Sequence, residues 1–470
     1  MPSTLIITID TLRADHLEAY GYSRKTAPNL ARLAREATLF ESAFAPASYT
    51  VPSLTSMMTG RWPSWHTARF SNMPRQTLSA DTPPLAASAL RGGYRTAAFV
   101  STIVLSRRNC GLSEGFEVYD DRTGTAEVNR PAFLFRRAEE TERSASAWLE
   151  DRGKEPFFLW IHFMDVHGPY SPPPPHDRRY NSDSRPLTPY DRLHLPLIPD
   201  PKFSGVRPPG YLPGVPAYQA LSVDGGPGRE GDYASSFRFY LDRYDGAVSY
   251  VDLACGRIIS RLKKLGLFDH TTIIVHSDHG EALGEEGVFF FHGLTVTPDQ
   301  IRVPLIVKSA NLEPGRRTDP VSLCDLMPFL IQEMDLEPDQ EAQGQNLTRP
   351  SSAQRVIPAQ IRRQLALVQG PLIHLYGPGW FRPDLQGGLF DDPDWPAFLE
   401  GSAPPRRFDY RMDPWGLKNM NHFPQGEEVD RMAREFLSQA AAQDPRAEII
   451  EADQAEKEEL AKKMRDLGYM

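Results

Sequence analysis

The chain has 470 residues, of which 52 are Lys or Arg and 61 are Asp or Glu, so its formal net charge is −9. Hydrophobic residues make up 40% and charged residues 24% of the chain, which excludes a mainly disordered protein. The acidic balance argues against a nucleic-acid partner, because non-specific binding to nucleic acid needs clustered Lys and Arg.

Short apolar runs alternate with helical patterns along most of the chain. Spacing of apolar residues predicts helices at Ala27–Ala37 and at Tyr233–Leu265, which ends just before Gly266. Strands that are apolar on both faces imply a mostly parallel sheet buried between helices. The predicted fold class is therefore α/β, with a large mostly parallel sheet flanked by helices. The predicted strands are Leu5–Ile9, Thr96–Val100, Phe157–Phe163, Thr272–His276 and Val303–Val307.

Residues 171–232 interrupt this alternation. They open with Ser171 and four prolines, and they are rich in Pro, Gly, Asp and Arg. Proline removes backbone donors and fixes φ, so little regular structure is expected here. A long loop without secondary structure in a compact domain is usually functional or disordered. Because this insertion begins just after His167, we expect it to cover the mouth of a site there.

The pattern changes after about residue 345. Ala366–Tyr376 is typical of two strands around a Gly-Pro turn, Arg407–Arg411 of a third strand, and Gly426–Ala441 of a helix. We therefore predict an α/β unit at 1–345, which contains the insertion, and a smaller C-terminal α+β unit at 346–440. A charged, helical tail follows at 441–470. We expect any homo-oligomer to form through this tail or through the insertion.

The sequence shows no membrane segment, secretion signal or disulfide framework. Its strongly apolar runs, such as Thr271–Val275, are far shorter than the ~20 residues of a membrane-spanning helix. The first residues carry neither a charged leader nor an apolar secretion segment. The cysteines, Cys110, Cys255 and Cys324, have no spacing typical of zinc. We therefore expect a cytoplasmic protein without a membrane partner.

Polar residues follow the carboxyl ends of predicted strands, where ligands bind in open α/β sheets. Asp10 comes directly after the first strand, and Asp278 and His279 follow Thr272–His276. Two carboxylates and one imidazole suit a divalent cation. His167 lies just beyond the strand that ends at Phe163. A single residue of this kind is a helix cap or a structural residue as often as it is a ligand. The prediction therefore depends on the convergence of several strand ends.

A fourth segment, Ser48–Arg61, places hydroxyl groups before Pro52 and a helix-like run. Such hydroxyls would lie at a helix N-terminus, where the dipole and free amides favour anions.

Taken together, these segments resemble the sulfatase family of the alkaline phosphatase superfamily over most of the chain. The resemblance implies an alkaline phosphatase-like fold. The nucleophile motif of the family, Cys/Ser-x-Pro-Ser/Ala-Arg with its Leu-Thr-Gly-Arg continuation, is similar to Thr50–Ser53 followed by Thr59–Arg61. The other similar segments are Ile7–His16 with Tyr20–Tyr22, Ser277–Glu281, Arg302–Val307, and Arg411–Gly416 with Asn419.

The departures from the family pattern make the pocket less cationic than that of an arylsulfatase. Sulfatases convert the Cys or Ser of the motif to formylglycine, but Thr50 is not a substrate for that conversion, so no formylglycine is expected. Leu54 replaces the arginine of the motif, and Thr11 replaces the second acidic ligand beside Asp10. Two lysines of the family pattern are also replaced, one by Ser101 or Thr102 and the other by His292.

The resemblance implies a role for each of these positions. Asp10, Thr50, Asp278 and His279 are the expected ligands of one divalent ion, which is Mn, Ca, Mg or Zn. Thr50, His167 and His292 are the expected catalytic residues. The expected substrate-binding residues are Ser53, Arg61, Ser101 and Thr102. The alternative of a partial second metal site, made by Asp165, His167 and His292, stays open at this point.

The favoured function is a metal-dependent hydrolase of a small anionic ester, with Thr50 as the nucleophile. Threonine nucleophiles occur elsewhere in the superfamily, in phosphodiesterases and phosphotransferases. We expect phosphodiester or phosphonate monoester substrates ahead of sulfate. A sulfothreonine would be harder to hydrolyse, because it cannot release its sulfate through a hemiacetal as formylglycine does. The alternatives are a phosphoryl-type transferase to an alcohol acceptor and a catalytically inactive, sulfatase-like binding protein.

Overall fold

The computed structural model of the chain describes residues 1–66, 78, 82–131, 133–181, 195, 197–198, 215–216, 219–228, 232–285, 288–293, 295–338, 341–352, 354–361, 364–376, 406–411 and 429–436. Its strands are β1 (Ser3–Ile9), β2 (Thr38–Phe44), β3 (Arg95–Phe99), β4 (Val118–Asp120), β5 (Thr125–Ala126), β6 (Leu134–Phe135), β7 (Phe157–Phe163), β8 (Leu197–Ile198), β9 (Val215–Pro216), β10 (Thr271–His276), β11 (Ala282–Leu283), β12 (Phe289–Phe291), β13 (Arg302–Lys308), β14 (Gly315–Arg317), β15 (Val321–Ser322), β16 (Val356–Ile361), β17 (Gln364–Gln369), β18 (Leu372–Tyr376) and β19 (Arg406–Asp409). Its helices are α1 (Pro28–Arg35), α2 (Thr50–Thr59), α3 (Leu85–Arg91), α4 (Ala138–Arg152), α5 (Phe237–Lys264), α6 (Pro298–Ile301), α7 (Leu326–Glu333) and α8 (429–436).

A large mixed sheet forms the centre of the molecule, with the strand order β14-β2-β13-β10-β1-β7-β3-β4 and β15 paired to β2. From β10 to β4 the neighbouring strands run parallel. β13 runs antiparallel to β10 and to β2. The five strands predicted within residues 1–345 all lie in this sheet, and β7 has the predicted bounds. The α/β prediction, a mostly parallel sheet flanked by helices, is therefore confirmed.

The two faces of the sheet bury different layers of helices. Leu5, Ile7 and Ile9 of β1 lie in one apolar cluster with residues of α1, α4 and α5. Ile6, on the other face, lies in a second cluster with residues of α2, α3 and α7. Because successive side chains of a strand alternate between faces, a strand covered on both sides reads as one continuous apolar run.

Among the elements that the sequence did not predict, β2 and α4 have sequences that are too polar for the apolar pattern. β2 contains Glu41 and Ser42, and its burial depends on pairing with β13. α4 buries only a narrow stripe that includes Ala138, Ala145 and Leu149. Small side chains on a mostly charged helix produce little periodicity, although they allow close packing on the sheet.

Helix α5 begins later than the sequence predicts. The Ala234 amide donates to the Leu221 carbonyl oxygen, and the Leu195 amide donates to the Ser235 carbonyl oxygen, each at 2.7 Å. The stretch before Phe237 is therefore paired with parts of the insertion instead of joining the helix. Among the described residues, no helix is both long and apolar enough to span a membrane.

A second, antiparallel sheet has the order β16-β17-β18-β19. Gly370 and Pro371 connect β17 to β18, as the sequence predicts, whereas β16 was not predicted. Val429 and Ala433 of α8 pack on Leu365 and Leu367 of this sheet. The predicted tail at 441–470 lies outside the described residues, as do most of the insertion and the segment after Arg411 that resembles the C-terminal family signature.

A buried ion cluster on α5 ties this helix to the segment that follows β1. The carboxylate of Asp245 lies 2.7 Å from His16 Nδ1 and 2.7 Å from a guanidinium nitrogen of Arg24. It also accepts a hydrogen bond from the Tyr22 hydroxyl at 2.7 Å. Removing one partner of such a cluster leaves the remaining charge buried without compensation.

We therefore expect Asp245→Ala to lower the free energy of unfolding by about 3–5 kcal/mol, measured by urea denaturation. The control is Asp151→Ala, because the Asp151 side chain is 74% exposed and its ion pair lies at the surface. This control should stay within about 0.5 kcal/mol of wild type. Equal effects of the two substitutions would contradict a structural role for the cluster.

Candidate active site

Asp10, Asp278 and His279 converge at the carboxyl edge of the central sheet. β1 and β10 are adjacent parallel strands, so the residues that follow them emerge side by side. One ligand atom from each of the three residues lies within 4.8 Å of the others. His279 Nε2 is 3.7 Å from Asp10 Oδ1 and 3.4 Å from Asp278 Oδ2. The three predicted ligands therefore share one buried space.

The donor set of this group fits a divalent cation. Asp10 Oδ1 and Asp278 Oδ2 are buried and accept no hydrogen bond. The Nδ1 of His279 lies 2.9 Å from the Gly280 carbonyl oxygen, which assigns the proton to Nδ1 and leaves the Nε2 lone pair facing the carboxylates. Burial and the Asp278 carboxylate raise the pKa of Asp10 well above its usual range. A cation bound by two oxygens and one imidazole nitrogen would compensate both carboxylates.

Thr50 is the first residue of α2 and faces this group. Its Oγ1 is 3.2 Å from His279 Nε2, and the residue is 4% exposed. Tyr49 caps the helix in an extended conformation. Pro52 fits in the first turn because the first amides of a helix have no intrahelical acceptor. The structure thus brings together all four residues that the sequence predicts as ligands.

Thr11 holds the loop after β1 in a strained conformation. Its φ is 55°, which is unfavourable for a β-branched residue. Its hydroxyl donates to the Asp10 carbonyl oxygen at 2.8 Å, so the side chain turns towards the backbone. The Tyr244 hydroxyl accepts from the Arg13 amide at 2.9 Å and donates to the Thr11 carbonyl oxygen at 2.8 Å. α5 therefore fixes the loop that carries Asp10.

Three of the four predicted substrate-binding residues use their hydroxyl groups to hydrogen-bond the backbone. Ser53 donates to the Asp278 carbonyl oxygen at 2.6 Å, and Ser101 donates to the His162 carbonyl oxygen. Thr102 caps a short 3₁₀ turn by accepting from the Val104 amide. Arg61 follows the C-terminal end of the ten-residue helix α2, about 15 Å along its axis from Thr50. The structure does not bring Arg61 to the site, and the three hydroxyl groups bind backbone.

A row of histidines extends from the metal-binding group towards solvent. The ring centroid of His292 is 4.5 Å from that of His279 and 4.9 Å from that of His167. The His292 side chain is 12% exposed, and its Nδ1 is 3.1 Å from Glu281 Oε1. Burial, with smaller contributions from His292 and Arg130, lowers the pKa of His167 well below its usual range, so its ring is neutral at pH 7.

Glu281 and His162 are buried polar residues beside the site that sequence reasoning did not assign. Burial raises the pKa of Glu281 to about 8. Burial also lowers the pKa of His162 to about 4. Glu281 is part of the motif that carries Asp278, and His162 is a polar residue inside an apolar strand. Both patterns were visible in the sequence.

The structure does not assemble a second metal site from Asp165, His167 and His292. Asp165 Oδ1 pairs with Arg137 at 3.2 Å. His167 Nδ1 lies 2.5 Å from the Gly168 carbonyl oxygen. Within the described residues, the group formed by Asp10, Asp278 and His279 is the one Asp, Glu, His and Cys cluster with metal-binding spacing. This geometry favours a single ion.

Parts of the insertion pack beside His167. A Cβ added to Gly168 would lie 2.1 Å from Gln219 Oε1, so these two segments are in close contact. Asn129 donates to the Ala220 carbonyl oxygen. β9 packs against β12, which leads into His292. Residues 182–194 and 199–214 lie outside the described residues, and coverage of the site mouth by the insertion stays a prediction.

Comparisons with known proteins identify the family of the chain and proteins of similar sequence and fold. A family model described as Sulfatase matches residues 2–336, which include the whole candidate site. A sulfatase from Formosa agariphila is 24% identical over 387 residues, covering 74% of this chain and 72% of that protein. Iduronate 2-sulfatase from Homo sapiens is 26% identical over 389 residues, covering 70% and 68%. The crystal structure of a phosphonate monoester hydrolase of Agrobacterium radiobacter superimposes with a TM-score of 0.66 at 19% identity, covering 94% and 96%.

We expect Asp10→Asn to weaken Mn²⁺ binding by more than about 100-fold, because loss of a ligand should exceed the 10–100-fold cost of losing an outer partner. Isothermal titration calorimetry measures the affinity, and the rise of Tm on adding Mn²⁺ gives an independent readout. Thr50→Ala is the control, since it keeps the two carboxylates and His279 and should still bind the ion. Unchanged affinity in Asp10→Asn would show that the ion, if bound, lies elsewhere.

Proposed function

The chain belongs to the sulfatase family of ester hydrolases, and on this premise we propose that it is a metal-dependent hydrolase of phosphate, phosphonate or sulfate esters with Thr50 as its nucleophile. The observation that carries the proposal is the position of Thr50. Its hydroxyl lies at the N-terminus of α2, 3.2 Å from His279 Nε2 and beside the two buried carboxylates. An anionic ester at this helix end would meet free backbone amides.

The proposed reaction has two displacements at phosphorus. A divalent cation held by Asp10, Asp278 and His279 would supply positive charge to the attacking hydroxyl and to the ester oxygens. Thr50 gives up its proton to solvent, its Oγ forms a bond to phosphorus, and the bond to the leaving alcohol breaks as that oxygen takes a proton from His292. Water then attacks the phosphorus of the phosphothreonine, which releases the acid product and restores the Thr50 hydroxyl.

Phosphorus is favoured over sulfur because of the nucleophile and the charge of the pocket. A threonine ester cannot break down to an aldehyde as the ester of formylglycine does. Release of the acid product therefore depends on attack of water at the phosphorus or sulfur atom. Leu54 and His292 replace two cations of the family pattern, which favours a singly charged phosphodiester or phosphonate monoester. The structural neighbour named a phosphonate monoester hydrolase agrees with this order. The relatives named sulfatases make a sulfate ester the second candidate.

His292 is the better candidate for the group that protonates the leaving alcohol. Glu281 lies against its Nδ1, which directs the other ring nitrogen away from that carboxylate. His167 is neutral at pH 7, so it fits a hydrogen-bond partner of the substrate better than an acid. Both rings lie on the more accessible side of the metal-binding group.

We expect the Mn²⁺-loaded protein to hydrolyse 4-nitrophenyl phenylphosphonate and bis(4-nitrophenyl) phosphate faster than 4-nitrophenyl sulfate, and Thr50→Ala to lose most of this turnover. Intact-protein mass spectrometry should show an unmodified Thr50. The matched control is Thr59→Ala, because Thr59 is a buried threonine at the other end of α2 that donates to the Thr55 carbonyl oxygen. Normal turnover by Thr50→Ala would point to an activated water as nucleophile, and faster sulfate hydrolysis would reverse the substrate order.

The effect of removing the proton donor on kcat should depend on the leaving group of the ester. We expect His292→Ala to lower kcat for alkyl esters by about 10²–10⁴-fold and to affect nitrophenyl esters much less, because nitrophenolate leaves without a proton. His167→Ala should lack this dependence. Metal content is measured in parallel, since a loss of metal in proportion to activity would make His292 or His167 a ligand instead.

A further inference from the structure

One buried histidine next to the metal-binding group has no hydrogen bond at either ring nitrogen. His162 lies in β7 and is fully buried, and its Nδ1 and Nε2 have no hydrogen-bond partner among the described residues. Buried polar groups are paired in the great majority of cases, and leaving one unpaired destabilises the fold. A role of His162 in metal binding would account for its unpaired ring nitrogens.

The sheet register places His162 directly below Asp10. Thr8 of β1 pairs with His162 on one side and with His276 on the other, so the three side chains form one row on a single face. Asp10 follows Thr8 by two residues and therefore continues on the same face. His276 is satisfied, since its Nε2 is 2.9 Å from Thr8 Oγ1 and its Nδ1 is 3.0 Å from the Ser277 carbonyl oxygen. His162, in the same row, has no such partner in the described part of the chain.

The two oxygens of Asp10 point to different neighbours. Oδ1 lies 3.7 Å from His279 Nε2, inside the metal-binding group. Oδ2 lies 3.6 Å from His162 Nε2, just beyond hydrogen-bond distance. The Ser101 hydroxyl fixes the backbone of β7 at this point by donating to the His162 carbonyl oxygen.

We propose that His162 is a positioning residue for Asp10, with its Nε2–H donating to Oδ2 so that Oδ1 stays directed to the cation. The inference rests on the metal-binding part of the proposed function. Carboxylates that bind metals are themselves held by hydrogen bonds, and the loss of such an outer partner typically costs 10–100-fold in metal affinity. His162 would then lower the stability of the metal-free protein and raise its affinity for the ion.

The test separates stability from metal affinity by comparing His162→Phe with wild type. Phenylalanine removes both unpaired nitrogens but is larger than histidine, so Tm without metal should fall less than in the matched control His276→Phe. Mn²⁺ affinity, measured by isothermal titration calorimetry, should fall 10–100-fold. The control His276→Phe removes a satisfied histidine of the same row and should lower Tm. A fall of Tm with unchanged affinity in His162→Phe would overturn the proposal.

Two amide variants test the proposal independently of the phenylalanine variant. The amide nitrogen of glutamine lies near the position of imidazole Nε2, whereas that of asparagine lies near Nδ1. His162→Gln should therefore keep most of the Mn²⁺ affinity, and His162→Asn should lose it. Equal affinities of these two variants would overturn the role of Nε2. A wild-type protein that binds no divalent ion would overturn the metal dependence of the proposed function, and with it this inference.

Discussion

Asp10 and Asp278 place two carboxylates in the same buried space, where their repulsion requires a compensating positive charge. Parallel pairing of β1 with β10 forces the two residues together, because both follow their strands at one edge. Each has an oxygen without a hydrogen bond, and His279 faces both of them. Burial makes such an arrangement costly unless a cation completes it. The arrangement of Asp10, Asp278 and His279 therefore fits a divalent cation, whichever ester the protein binds.

The same helix supports the fold and the site. On α5, Tyr244 binds the backbone of Thr11 and Arg13 in the loop that follows Asp10. The next residue, Asp245, binds His16 and Arg24, which follow that loop in the chain. The strained φ of Thr11 is maintained by these contacts. A change on α5 can therefore alter metal affinity without touching a ligand, and stability and metal binding need separate measurements in each variant.

Two cations of the family pattern are replaced in this chain, one by Leu54 and the other by His292. His279 and His292 lie in van der Waals contact beside Thr50, and Leu54 and Thr11 occupy positions where the pattern has charged groups. Leu54 is uncharged, and one imidazole compensates less anionic charge than an Arg and a Lys together, which is why the proposed substrates carry a single charge. Glu281 Oε1 lies 3.1 Å from His292 Nδ1 and so fixes the orientation of this ring.

Much of the fold and the core of the site could be predicted from local sequence. Strands covered on both faces are continuous apolar runs, and Asp10, Asp278 and Thr50 stand where such a strand ends or a helix begins. β2 and α4 were missed because their burial depends on neighbours distant in the sequence. Tertiary packing alone decided that Ser53 and Ser101 bind backbone, that Arg61 lies a helix length away, and that His162 lies below Asp10. A hydrogen bond is set by the distance between two atoms in space, and the sequence spacing of residues on different strands does not determine that distance.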